Sequence, residues 1–94
     1  MRDLSLNFIW KRKRDENCYI PIHAHNFYEL VFYTYGNGDA TLGNGSYHFA
    51  PNTFVVIPPN TAHDERHFTN AEVICLGFAC NDRLSDMFCQ DDSG

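Results

Sequence analysis

The sequence predicts an all-β domain closed into a small barrel or sandwich, and three observations carry that prediction. Seven or eight short runs rich in aromatic and β-branched residues recur along the chain, each ended by a turn signal. The glycines fall between these runs, in hairpin positions, and not at strand-to-helix junctions. The 94 residues are 44% hydrophobic and 15% aromatic, which supports one compact domain near the lower end of what buries an adequate core. Strands so short and so many favour closure over an open sheet.

Phe8-Ile9-Trp10 reads as the opening strand. The charged run Lys11-Arg12-Lys13-Arg14-Asp15-Glu16 follows, and its mixed signs predict a solvated loop or hairpin edge. The residues from Tyr28 to Tyr35 form a central strand, stopped by Gly36-Asn37-Gly38-Asp39. Ala40-Thr41-Leu42 pairs with Ser46-Tyr47-His48-Phe49 across the hairpin connection Gly43-Asn44-Gly45. Ala50-Pro51-Asn52-Thr53 turns the chain into Phe54-Val55-Val56-Ile57. Pro58-Pro59-Asn60-Thr61-Ala62 is a stiff loop that delivers His63 to the next strand, and Glu72 to Ala79 is the last long one. From Asn81 the chain turns polar, and Leu84, Met87 and Phe88 are spaced as the first turn of a helix.

Composition narrows the function classes. A formal charge of −5 argues against nucleic acid as a direct partner, because phosphate binding needs a basic surface. No apolar run approaches the ~20 residues that cross a bilayer, so no membrane partner is expected. Met1-Arg2-Asp3-Leu4-Ser5 lacks the apolar stretch of a signal peptide, which makes a cytoplasmic location the expectation. Cys18, Cys75, Cys80 and Cys89 show no C-x-x-C spacing, and Cys75 sits in an apolar run as a small hydrophobe. No serine or cysteine pairs with a base as a nucleophile, and no phosphate-binding fingerprint occurs.

Chemistry concentrates in His23-Ala24-His25-Asn26-Phe27-Tyr28-Glu29 and in His63. If 23–29 runs as one extended strand, His23, His25, Phe27 and Glu29 share a face. If that face points inward, Val31, Tyr33 and Tyr35 line the same interior. The stretch between His25 and His63 is long enough to hold a hairpin and return His63 beside His25. Three imidazoles and one carboxylate, His23, His25, His63 and Glu29, suit a divalent metal such as Zn, Ni, Mn or Fe. The same groups make an equally sound metal-free polar pocket, with Glu29 satisfied by imidazole or Tyr33 donors. Asp64, Glu65 and Arg66 are candidates for a polar rim at its mouth, and His48 for either face of its hairpin.

The span from His23 to His63 resembles the cupin superfamily, whose two motifs supply two histidines and a glutamate and then a third histidine; Gly36 follows Glu29 at the expected distance. More narrowly, His25-Asn26-Phe27-Tyr28-Glu29-Leu30 is similar to the H-x-F-Y-E-L signature of the N-terminal domain of AraC-type transcriptional regulators. Ile57-Pro58-Pro59-Asn60-Thr61-Ala62-His63 resembles their I-P-P-G-x-x-H segment. The likeness covers roughly Cys18 to Phe78. Asn17 stands where the enzymatic first motif has glycine; Asn52 and Asn60 stand at turn positions where glycine is usual, and asparagine tolerates left-handed backbone angles. His67 replaces the asparagine usual in the second enzymatic motif.

The resemblance implies a cupin-type β-barrel, that is a double-stranded β-helix or jelly roll, with the start of a C-terminal helix after it. It further implies that residues 1–94 are one effector-sensing domain, truncated before the helix-turn-helix units that read DNA. A small effector, a sugar-like metabolite, would bind among His23, His25, Phe27, Glu29, Tyr33 and His63 and control DNA binding by the missing domain. A homodimer is the expected assembly. No cofactor is required on this reading, because such sensors commonly keep the histidine pattern without depending on metal. The alternative is a small metal-dependent cupin enzyme, a dioxygenase or isomerase, using His23, His25, Glu29 and His63 as ligands.

Overall fold

The computed structural model of the chain describes residues 4–80. Within them every regular element is a strand: β1 (Leu4–Arg14), β2 (Tyr19–His23), β3 (Tyr28–Tyr35), β4 (Gly38–Leu42), β5 (Gly45–Phe49), β6 (Thr53–Ile57), β7 (His63–His67) and β8 (Ala71–Cys80). They form two antiparallel four-stranded sheets, ordered β1-β8-β3-β6 and β2-β7-β4-β5. The all-β expectation holds, and the helical spacing after Asn81 lies outside the described residues.

The core lies between the sheets. Val31, Tyr33, Ala40, Phe49, Ile57, Val73 and Cys75 make one buried cluster, with Phe8, Leu42, Tyr47 and Val55 packed against it. Tyr33 and Phe49 stack across the interface, ring centroids 4.1 Å apart and nearly parallel. Period-two alternation produces this directly: on β3, Glu29, Val31 and Tyr33 face in while Leu30 and Phe32 face out. β8 buries Ala71, Val73, Cys75 and Gly77 on the same principle.

The turns carry the backbone strain, and the residues there suit it. Asn17, Asn52 and Asn60 all have positive φ, at 64°, 67° and 60°; Asn52 and Asn60 fill left-handed turn positions as expected, and Asn17 adds a third. Gly36 has φ 96° and abuts Ala71 so closely that a Cβ there has no room. The predicted β4–β5 hairpin is present, Ala40 opposite Tyr47, with a connection one residue shorter than expected because Gly45 already pairs with Leu42.

Three expectations are corrected. The charged run is not a loop; Lys11 to Arg14 continue β1, which pairs with β8 all the way to Arg14 opposite Ala71. The pairing compensates for the charges, because the odd residues face solvent and Lys11 approaches Glu72 at 3.9 Å. The 23–29 segment is not one strand either: β2 ends at His23, β3 begins at Tyr28, and the two belong to different sheets. Tyr35 does not line the interior, since the β3–β8 register shifts between Tyr33 and Tyr35 and leaves Tyr35 exposed.

Candidate ligand-binding site

A cavity of about 250 Å³ opens between the sheets. Val31, Ile57, Val73 and Cys75 form its buried apolar floor. His23, His25, Glu29, His63 and Glu65 supply its polar wall, and Phe8, Trp10, Phe27, Arg12 and Arg14 complete it. Burial pushes the Cys75 thiol up to about 12, with Glu29 and Glu65 adding to it, so Cys75 is floor and not nucleophile.

The three histidines meet although no single strand carries them. His23 ends β2 and stands directly opposite His63, which begins β7. Their rings lie 4.2 Å apart. His25 sits in the β2–β3 connection, whose backbone is tied to the proline loop by Asn60 N–H donating to the His25 carbonyl at 2.6 Å. Phe27 stacks on the His25 ring at 4.1 Å and fixes its plane.

Each imidazole donates from Nδ1 to a backbone carbonyl: His23 to Pro21 at 2.8 Å, His63 to Thr61 at 2.8 Å, His25 to Phe27 at 3.2 Å. That arrangement turns all three Nε2 atoms inward, and one ligating nitrogen from each ring lies within 4.8 Å of the others. Glu29 Oε1 lies 3.0 Å from His25 Nε2 and 3.9 Å from His63 Nε2. Both nitrogens of His25 therefore face oxygen acceptors, and Nε2 and Glu29 Oε1 lie at hydrogen-bond distance. His63 Nε2 is buried without a hydrogen-bond partner, and burial holds its pKa below the ordinary histidine value; His23 and His25 add to this, while the Thr61 carbonyl and Glu29 oppose it. An orphaned imidazole nitrogen beside two more and a carboxylate is a donor set that fits a first-row divalent metal.

Of the six residues predicted for the site, His23, His25, Phe27, Glu29 and His63 line the cavity together. Tyr33 is placed behind it: wholly buried, stacked on Phe49, its hydroxyl donating to Glu65 Oε2 at 2.7 Å. Burial, followed by the nearby Glu65 charge, raises the Tyr33 pKa, so it stays a neutral donor. The predicted rim divides. Glu65 is nine-tenths buried and lines the cavity, gripped also by His67 Nε2 at 2.9 Å, while Asp64 and Arg66 lie on the outer face with Tyr19. His48 faces solvent and approaches Asp39 at 3.0 Å.

Sequence reasoning missed Ile20, Ile57, Val73 and Cys75 among the lining residues, and on β1 it missed Phe8, Trp10, Arg12 and Arg14. The even spacing of the β1 residues was the available signal, since alternation carried past Trp10 places Arg12 and Arg14 on the same face.

A family profile described as AraC-like ligand binding domain matches residues 6–82. The chain belongs to that family. No curated protein matches the sequence. Among solved structures, this AraC-like domain is similar to an RmlC-like cupin from Shewanella frigidimarina, with 13% identity, TM-score 0.69, and 86% of this chain and 78% of that one covered. A predicted oxalate decarboxylase from Thermotoga maritima aligns with TM-score 0.72 at 12% identity, covering 79% of this chain and 67% of that one. A DMSP lyase from Ruegeria pomeroyi aligns with TM-score 0.68 at 20% identity over 73% of this chain; the match spans 36% of the lyase. At these identities the likeness shows the fold alone. The AraC-like domain is thus a cupin barrel with a ligand-sized cavity at its histidine cluster.

Proposed function

We propose that this domain is the effector-sensing part of an AraC-type transcription factor, with a small sugar-like metabolite bound in the cavity. The observation that carries the reading is the cavity itself: an apolar floor, flanking rings, and polar groups converging from both sheets. A polyhydroxylated ligand has donors for Glu29 and CH faces for Phe27. Binding ties β2 and β7 of one sheet to β3 of the other, and a ligand that prefers one arrangement of the sheets shifts the population toward it. That shift is transmitted to a DNA-binding domain outside this chain. A homodimer is the assembly we propose, because β1, β6, β2 and β5 are open sheet edges.

A thermal-shift screen of the 94-residue chain against neutral pentoses and hexoses, followed by calorimetry, tests the reading. Glu29→Gln keeps the fold and weakens the best-bound sugar at least about tenfold; unchanged affinity removes Glu29 from the site.

The convergence of one ring nitrogen from each of three histidines favours a second reading, a metal-dependent cupin enzyme. His23, His25, His63 and Glu29 would hold the ion, which supplies Lewis acidity or access to O₂. Stoichiometric metal in tag-free protein, lost in His25→Ala, supports it. Absence of metal after incubation with Zn, Ni, Mn and Fe salts counts against it.

A further inference from the structure

β1 presents Phe8, Trp10, Arg12 and Arg14 to the cavity, so two guanidiniums stand side by side on one face of one strand. Residues two apart on a strand are separated by roughly 6.5–7 Å, a spacing from which two arginine forks reach a common anion. Arg12 is already positioned, its guanidinium carbon 4.4 Å from the centre of the Trp10 ring. Stacking of that kind orders the side chain and leaves its edge N–H groups free to donate.

Arg14 is the deeper of the pair, and its Nε is buried with no hydrogen-bond partner among the described residues. The acids of the same cavity are engaged elsewhere. Glu29 Oε1 lies 3.0 Å from His25 Nε2, and Glu65 meets His67 through Oε1 and Tyr33 through Oε2. A buried guanidinium donor without an acceptor is costly, and none of these carboxylates relieves it. Inward charges on an edge strand can also serve to block edge-to-edge pairing, and β1 is an edge. Edge protection alone leaves unexplained why Arg14, lining the cavity, keeps a buried Nε without an acceptor among the described residues.

We propose that the β1 side of the cavity is an anion subsite, where Arg12 and Arg14 take the carboxylate of a small effector. Phe8 and Phe27, edge to face at 5.4 Å, and Trp10, stacked on Phe8 at 4.3 Å, flank its carbon skeleton. A planar two-oxygen group matches the arginine fork, whereas a phosphate dianion brings a second charge into a space that already holds Glu29 and Glu65. The inference rests on the sensing reading and narrows it: the sugar-like effector is a sugar acid.

Trp10 is the chain's single tryptophan, so its fluorescence reports occupancy of the subsite. The 94-residue chain is titrated at low salt with two matched pairs, D-glucuronate against D-glucose and benzoate against benzyl alcohol. The carboxylate of at least one pair binds at least about tenfold more tightly than its neutral partner. Arg12→Gln and Arg14→Gln each remove most of that preference, while Lys13→Gln, on the outer face, leaves it intact. The absence of carboxylate preference in both pairs overturns the inference. So does wild-type affinity in both arginine variants once circular dichroism shows them folded, and aggregation of those variants with unchanged binding assigns the arginines to edge protection. Neutral partners that bind as well as their acids in both pairs refute the anion subsite while leaving the sensing reading intact.

Discussion

Replacing Tyr33 by phenylalanine removes one oxygen from the centre of the domain and leaves the ring where it is. The ring is fully buried and stacked on Phe49 at 4.1 Å, so no cavity opens beyond the volume of a hydroxyl. What changes is Glu65, whose Oε2 loses a 2.7 Å donor. Tyr47 does not replace it, because the Tyr47 hydroxyl faces that of Tyr33 at 3.5 Å and is no partner of Glu65. A hydrogen bond to a charged, buried acceptor is worth about 1.5–3 kcal/mol. Taking about 2 kcal/mol for Tyr33→Phe, a domain of this size loses roughly 8–16 °C in melting temperature. Differential scanning calorimetry measures that loss directly. Tyr47→Phe is the control and shifts the melting point by only a few degrees, since its 3.5 Å contact is at the limit of hydrogen bonding. A Tyr33→Phe shift below about 4 °C refutes the claim that this hydroxyl holds Glu65 against the cavity.

Three further outcomes follow from the same geometry. Folding holds the His63 pKa below its unfolded value of about 6.5, so the folded state binds fewer protons and stability falls as pH drops below that value; urea midpoints from pH 7.5 to 5 show the slope, and His63→Gln flattens it. Asn60 has φ 60°, so Asn60→Ala costs about 1 kcal/mol while Asn60→Gly is near neutral; equal urea midpoints for all three proteins would show that the turn is not strained. A Cβ at Gly77 occupies the space of the Phe8 ring, so Gly77→Ala costs about 1–3 kcal/mol and red-shifts Trp10 emission as its stacking partner moves; an unshifted spectrum would show that Phe8 stays in place.

The strands and the polar wall were legible because alternation is local. Val31 and Tyr33 are inward for the same reason that Leu30 and Phe32 are outward, and a hairpin between Ala40 and Phe49 follows from its glycine-rich turn. The histidine cluster was legible for a different reason from the one parity supplied. His23, His25 and Glu29 do converge, but from two sheets and a connection, after the supposed single strand breaks at 24–27. β1 was the element least legible. Four consecutive basic residues suggest a solvated loop until a pairing partner exists, and that partner, β8, lies some sixty residues away. The register shift that expels Tyr35 is likewise a property of β3 against β8 together.

The site's polar wall is built from backbone as much as from side chains. Each cavity histidine is oriented by a carbonyl within two residues of it, so each imidazole is set by the local chain path. The Asn60-to-His25 hydrogen bond joins the β2–β3 connection to the proline loop, and it depends on a left-handed turn at Asn60. A ligand held by His25 and Glu29 therefore couples that turn, β2 and β3 in one event. The β1 arginines stand on the other side of the same cavity, on an edge strand that, among the described residues, pairs with β8 alone. A molecule that spans both sides links an edge strand of one sheet to the histidines at the β2–β7 end of the other. An edge strand that lines the cavity is an element from which a sensor of this shape can report occupancy, because a ligand that contacts it shifts the equilibrium between its paired and unpaired states.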